Sequence, residues 1–126
     1  MEVFDAAVTG SPDYESLAAD VAGSLAGWIC WGPTPCTVGT WDLYWMAVEP
    51  EFQGSGVGSA LLSEMERRLD GRARLIVVET AGRPDYQPTR RFYESRGYTA
   101  TARIADFYEP GDDLVVYVKR LGSPAG

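Results

Sequence analysis

Residues 48–61 read Val-Glu-Pro-Glu-Phe-Gln-Gly-Ser-Gly-Val-Gly-Ser-Ala-Leu, and these residue types at this spacing are suited to gripping an anion. An apolar strand ends at Val48-Glu49-Pro50, a turn follows, and Gln53-Gly54-Ser55-Gly56-Val57-Gly58 runs straight into an amphipathic helix. Glycines let backbone N–H groups crowd around a ligand because no Cβ intervenes. The helix start adds N–H donors that have no partner within the helix, together with a partial positive charge. Gln53 and the amides of Gly54, Ser55, Gly56, Val57, Gly58 and Ser59 would then suit a pyrophosphate.

Two common phosphate loops do not match. A dinucleotide fold needs G-x-G-x-x-G, whereas Gly54, Gly56 and Gly58 alternate; a Walker loop needs Gly-Lys-Ser/Thr, whereas this one continues Gly58-Ser59-Ala60. A second stretch, residues 88–98, reads Pro-Thr-Arg-Arg-Phe-Tyr-Glu-Ser-Arg-Gly-Tyr. Pro88 suits the first turn of a helix and Gly97 its end. The loop resembles the Q/R-x-x-G-x-G/A signature of the GNAT superfamily of acyl-CoA-dependent N-acyltransferases. Residues 92–98 resemble that family's second signature, F-Y-x-x-x-G-Y/F. The two appear in the family's order with an apolar strand, Leu75-Ile76-Val77-Val78-Glu79, between them.

That resemblance, which covers roughly residues 14–121, implies an α/β fold with a mixed, mostly antiparallel sheet flanked by helices. It implies acetyl-CoA as the acyl donor and a primary amine as acceptor, either a small molecule, an amino acid or a protein amino terminus. Met46, Ala47 and Val48 would bond the pantetheine arm where their strand splays from its neighbour, and a backbone N–H there would stabilise the oxyanion. The same three residues serve equally as core strand. Tyr93 would protonate the departing thiolate; its alternative role is packing beneath the helix. Asp42, early on the strand before the loop, and Glu79, ending an apolar strand, are the two candidate bases, acting directly or through water. Glu79 should lose water at such a strand end, which would make it the stronger base. Either carboxylate also fits a hydrogen-bonded or ion-paired strand residue. Arg90 and Arg91 would reach the adenosine phosphates or be solvated. Tyr86 stands where many relatives carry an asparagine, and Thr89 where an alanine is common. Trp28, Trp31, Trp41, Tyr44, Trp45, Phe107 and Tyr108 divide between an acceptor pocket and the core.

Composition narrows the chemistry. There are 126 residues, no histidine and two cysteines, Cys30 and Cys36. Four-ligand Cys/His zinc sites are excluded, and no metal is expected. Histidine-activated serine or cysteine nucleophiles are excluded as well, so acyl transfer should be direct, without a covalent enzyme intermediate. Any base is a carboxylate, lysine, tyrosine or water. The net charge of −7 argues against nucleic acid and anionic membranes and mildly favours a cationic acceptor. No run approaches the length of about 18 apolar residues that a membrane span needs. The first residues do not read as a signal peptide, so a cytoplasmic location and reduced thiols are expected, although a Cys30–Cys36 disulfide fits by spacing.

The elements that must hold these residues follow from periodicity. Residues 14–20 and 24–31 form a hairpin about Val21-Ala22-Gly23. The strand at 41–48 should put Trp41, Leu43, Trp45 and Ala47 on one face and Asp42, Tyr44, Met46 and Val48 on the other. Leu61, Leu62, Met65 and Leu69 recur at helical spacing after Val57, and Arg67, Arg68 and Asp70 lie off that stripe. A strand at 74–80, a helix at 88–96 and strands at about 98–107 and 113–121 complete a single domain over 1–126, with a loose tail at 122–126. Asp85, Asp106, Asp112 and Asp113 read as turn and cap residues. Family members usually open with a strand and one or two helices, whereas residues 1–13 leave room for a single short helix at 2–8. The fold would be shortened at its N-terminus, unless the native chain starts further upstream. An uncovered sheet edge suggests a homodimer. Two rival readings are an acyl-CoA-binding sensor without turnover and a subunit whose site needs a partner chain.

Overall fold

In the computed structural model, which describes residues 1–5 and 14–122, two hairpins frame a seven-stranded sheet. Strand β2 (Glu15–Val21) turns at Ala22 and Gly23 into β3 (Ser24–Pro33), and β3 pairs antiparallel with β4 (Thr40–Val48). After helix α1 (Val57–Leu69), strand β5 (Leu75–Ala81) lies parallel to β4. Helix α2 (Gln87–Glu94) leads to β6 (Thr99–Glu109) and β7 (Asp112–Arg120), and β7 inserts between β5 and β6. With β1 (Glu2–Asp5) at one edge, the order across the sheet is β1-β2-β3-β4-β5-β7-β6. This is a mixed, mostly antiparallel α/β architecture, as expected.

Both helices pack on one face. Val57, Leu61, Leu62, Met65 and Leu69 of α1 are all at most 1% exposed and meet Leu17, Ile29 and Trp31 from the first hairpin. Burying each such side chain contributes roughly 1.5–3 kcal/mol, so the stripe read from spacing anchors α1. Tyr93 of α2 joins the same core, with Val78, Val115 and Tyr117. At Gly27 the backbones of β3 and β4 leave no room for a side chain: a Cβ there would stand 2.7 Å from the Ala47 carbonyl. Among the described residues, no helix covers the opposite face.

Two expectations fail. Residues 2–5 form not a helix but strand β1 (Glu2–Asp5), paired antiparallel with β2 from Glu2–Asp20 to Asp5–Leu17. Val3 and Phe4 favour strand, and the open β2 edge gives them a partner; positions 6–8 of the expected helix, and 123–126 of the expected tail, lie outside the described residues. The face assignment along β4 also breaks. Cys30 pairs with Trp45 while Trp31 pairs with Leu43, so Tyr44 is an extra residue in a β-bulge. The bulge reverses the alternation: Trp41 stays on the core side, as Leu43 does, but beyond it Met46 and Val48 pack inward. By cross-strand register Trp45, opposite Cys30, and Ala47, opposite Trp28, share the open face. Trp28 and Trp45 meet edge to face at 5.9 Å.

Candidate active site

The bulge coincides with a break in the sheet. The parallel ladder between β4 and β5 runs from Thr40–Leu75 to Leu43–Val78 and stops there. Beyond it Met46, Ala47 and Val48 keep their pairing to β3, with Ile29, Trp28 and Gly27, while β5 continues beside β7. A wedge therefore opens between β4 and β5, bordered on the β4 side by Met46, Ala47 and Val48 and on the β5 side by Glu79, Thr80 and Ala81. Extended backbone along such a wedge can be bonded by an extended ligand, in the manner of an added strand.

At the end of β4 the chain makes a 3₁₀ turn over Pro50–Phe52 and then enters α1 through Gly56, whose φ of 89° starts the helix. The first helical bond runs from Ala60 N–H to the Gly56 carbonyl. The amides of Val57, Gly58 and Ser59 therefore precede the ladder and point out of the helix end. A Cβ placed on Gly54 or Gly56 would meet nothing within 4 Å, so open space lies over the loop, the room a pyrophosphate requires. Two of the expected donors are otherwise engaged. Ser55 N–H donates to the Phe52 carbonyl at 3.2 Å, and Gln53 N–H to that of Pro50 at 3.3 Å. The Gln53 amide reaches back to the Val48 carbonyl at 3.4 Å, tying the loop to the strand end.

The cation beside this helix start is Arg96, which sequence reasoning passed over. Its guanidinium lies 3.7 Å from the centre of the Phe92 ring, and Nε donates to Ser59 Oγ at 3.2 Å. Phe92 in turn lies 3.4 Å from where a Gly58 Cβ would stand, which fixes α2 against the first turn of α1. Arg90 sits elsewhere: Nη1 donates to the carbonyls of Ala81 at 2.7 Å and Arg83 at 3.0 Å, closing the end of β5. The spacing that could have revealed Arg96 is its place one helical turn after Phe92.

Tyr93 is 4% exposed, with its ring edge-on to Phe92 at 5.4 Å and to Tyr98 at 5.5 Å. Burial pushes its phenol up to about 12, so it stays protonated across the neutral range. The packing role is real, and a proton donor built into it is compatible with that role. The two candidate bases share the open face. Asp42 is half-buried in the intact part of the sheet, opposite Gly32 and Val77. Glu79 is the first β5 residue past the last β4–β5 pair, and it is exposed. The loss of water expected at Glu79 is therefore absent, because the wedge opens there.

Beside Glu79 lies a cavity of about 300 Å³, lined also by Thr80, Ala81, Arg83, Tyr86, Tyr108, Glu109 and Asp112. The aromatic residues sort accordingly. Trp31 is fully buried, and Trp41 packs toward the core with the Arg72 guanidinium 4.7 Å above its ring. Tyr108 faces the cavity, and its phenol is pushed up by burial and then by the charges of Glu79 and Asp112. Cys30 is buried and Cys36 exposed, both as free thiols, and burial pushes the Cys30 thiol up.

A split sheet whose β4 strand runs into an amide-rimmed helix start is the arrangement the two sequence signatures implied. Residues 12–100 match the sequence model of the acetyltransferase (GNAT) domain. The chain belongs to the GNAT family. It is 44% identical to a Desulfovibrio desulfuricans protein assigned to the GNAT acetyltransferases, whose crystal structure superposes with a TM-score of 0.83 over 87% of this chain and 71% of that one. It is 27% identical over 106 residues to an N-acetyltransferase of uncharacterised role from Methanocaldococcus jannaschii, a match that takes in 84% of this chain but 64% of that protein. This GNAT chain thus spans less than two thirds of that relative's length. An aminoglycoside 6'-N-acetyltransferase crystallised with coenzyme A shares the fold at 18% identity, with a TM-score of 0.79 over 91% of this chain and 77% of that one.

Proposed function

We propose that this GNAT domain transfers an acetyl group from acetyl-CoA to a primary amine. The observation that carries this reading is the placement of the β4–β5 wedge directly upstream of the α1 amides, so that one extended thioester can span both. The coenzyme A bound by the aminoglycoside 6'-N-acetyltransferase of the same fold supports the choice of donor. Backbone groups of Met46, Ala47 and Val48 would pair with the pantetheine. The amides of Gly54, Gly56, Val57, Gly58 and Ser59, with Arg96 alongside, would hold the pyrophosphate. Each charge-assisted bond of this kind contributes roughly 1.5–3 kcal/mol.

In this reading Glu79, or Asp42 through water, takes one proton from the attacking amine as the C–N bond forms. A β4 backbone N–H stabilises the oxyanion. Tyr93 gives one proton to the departing thiolate as the C–S bond breaks, and the tyrosine is reprotonated from solvent. The exposure of Glu79 at the mouth of the wedge favours it over Asp42 for contact with an acceptor. Thiol release from acetyl-CoA in the presence of a panel of amines tests the reaction. Uptake of acetyl-CoA without thiol release would leave a sensor, and no uptake in equilibrium dialysis would end the proposal. The sheet edge at β6, exposed along its whole length, supports a homodimer.

A further inference from the structure

The cavity beside Glu79 carries more negative charge than an amine acceptor with one nitrogen needs. Three carboxylates line it, Glu79, Glu109 and Asp112, against one guanidinium, Arg83, which leaves two negative charges. Arg83 is also shared: Nε lies 3.0 Å from Asp85 Oδ1, whereas Nη1 stands 3.5 Å from Asp112 Oδ2. Its plane is occupied as well, with the guanidinium 4.6 Å from the centre of the Tyr86 ring. Asp112 is only 5% exposed, and its Oδ1 is buried without a hydrogen-bond partner. A buried carboxylate oxygen left unpaired costs free energy that a cationic donor would recover.

The neighbouring acidic residues do not share this vacancy. Asp113 accepts from Arg103 Nε at 2.7 Å and from Asp106 N–H at 3.0 Å, and Asp106 accepts from Gly111 N–H at 2.7 Å. Those two hold the β6–β7 turn in shape. Asp112, paired with Glu109 across the turn, is thereby set at the cavity wall. With the Tyr86 ring taken by Arg83, Tyr108 is the cavity-lining tyrosine that offers aromatic surface to an ammonium group. A volume of about 300 Å³ lies at the small end of ligand pockets. The cavity begins at Glu79, where the β4–β5 wedge opens.

We infer that this cavity is the acceptor subsite and that it selects a small amine bearing a second positive charge, the distal ammonium held between Asp112 and Glu109 and the reactive nitrogen presented at Glu79. This rests on the acetyl-transfer reading, so its test reads binding rather than turnover. Titration calorimetry on the whole chain without acetyl-CoA would compare 1,4-diaminobutane, a linear triamine and butylamine. The diamine and triamine should bind at least about tenfold more tightly than butylamine, since one charge-assisted bond is worth that factor. Added salt should erode the difference. Glu109→Gln, at an exposed position, should weaken the diamine at least about tenfold and leave butylamine unchanged; Asp112→Asn should do the same where circular dichroism shows it folded. Equal binding of monoamine and diamine, or diamine binding indifferent to Glu109→Gln, would overturn the subsite. Acetyl-CoA uptake by dialysis, measured separately, tells failure of this inference from failure of the acetyl-transfer reading.

Discussion

Tyr93 concentrates the chemistry proposed here, because the fold buries it against Phe92 and Tyr98 and burial keeps its proton on up to about pH 12. Removing the hydroxyl leaves the ring packing in place, so Tyr93→Phe separates donor from core residue. The expected outcome is a fall in kcat of about 10², with little change in acetyl-CoA affinity; an unchanged kcat would return Tyr93 to a packing role. At the loop, Gly56→Val places a β-branched residue at a φ of 89° and projects its side chain into the open space over the amides. Calorimetry should show acetyl-CoA binding weakened at least about tenfold, while the melting temperature drops by only a few degrees. Normal binding would mean that the amides do not form the cradle. The glycine-rich entry into α1 and the packing of Tyr93 beneath α2 were legible in the sequence because each depends on neighbours a few positions away. Asp112 was not. In Pro110-Gly111-Asp112-Asp113 both aspartates read as turn residues, and only the irregular register between Ile104 and Glu109, with Asp106 at a φ of 56°, sends Asp113 back to Arg103 and Asp112 to the cavity.

At the scale of elements, the helices and most strands follow from periodicity, whereas the bulge at Tyr44 does not. Nothing in Trp41-Asp42-Leu43-Tyr44-Trp45 announces an extra residue; it arises because β4 must pair with β3 throughout yet leave β5 after Leu43. Strand β1 was missed for a related reason. Four residues have little preference of their own, and the β2 edge decides for them. Helix α1 helps hold that edge: Arg68 bonds both Glu64 and Asp5 of β1, and Arg67 bonds Glu64. Hydrogen bonding from Arg67 first, with Arg68 adding to it, lowers the Glu64 carboxyl from 4.5 to about 2. A carboxyl lowered on folding stabilises the native state above its unfolded pKa, and that contribution is lost as pH falls through the folded value. The window here is therefore about pH 4.5 down to about 2. The pair is largely solvent-screened, so its worth is at most about 1 kcal/mol. Thermal melts should show wild type above Glu64→Gln by a few degrees at pH 7, with the gap closing by pH 2. A gap that persists at pH 2 would mean that Glu64 acts through packing rather than charge.

For the whole molecule, the sheet is closed over on one face and open at the β6 edge, and these two facts bear on assembly. All eleven residues of β6 are exposed, and Ile104 and Phe107 each show 51% of their surface. An edge of this length offers unpaired backbone to another strand, and proteins that stay monomeric usually blunt such edges with charge or proline. Residues 99–104 carry a single charge, Arg103, and no proline. The register is irregular between Ala100 and Ala102 and again between Ile104 and Glu109, so the strand bends at Thr101 and beyond Ile104, and 102–104 with its flank at 99–100 is the stretch able to pair with a second copy. Opposing this, each chain carries a net charge of −7, so two copies repel. Association through β6 should therefore strengthen with salt, since about 0.1 M already screens charges beyond roughly 10 Å. Light scattering at micromolar concentration should report a dimer whose share rises between about 0.02 and 0.3 M sodium chloride, and Ile104→Glu should shift it to monomer without altering acetyl-CoA uptake. A wild-type monomer at all salt concentrations would show that the β6 edge is left to solvent, and a dimer indifferent to Ile104→Glu would place the interface on another surface, with the uncovered Trp28–Trp45 face the next to test.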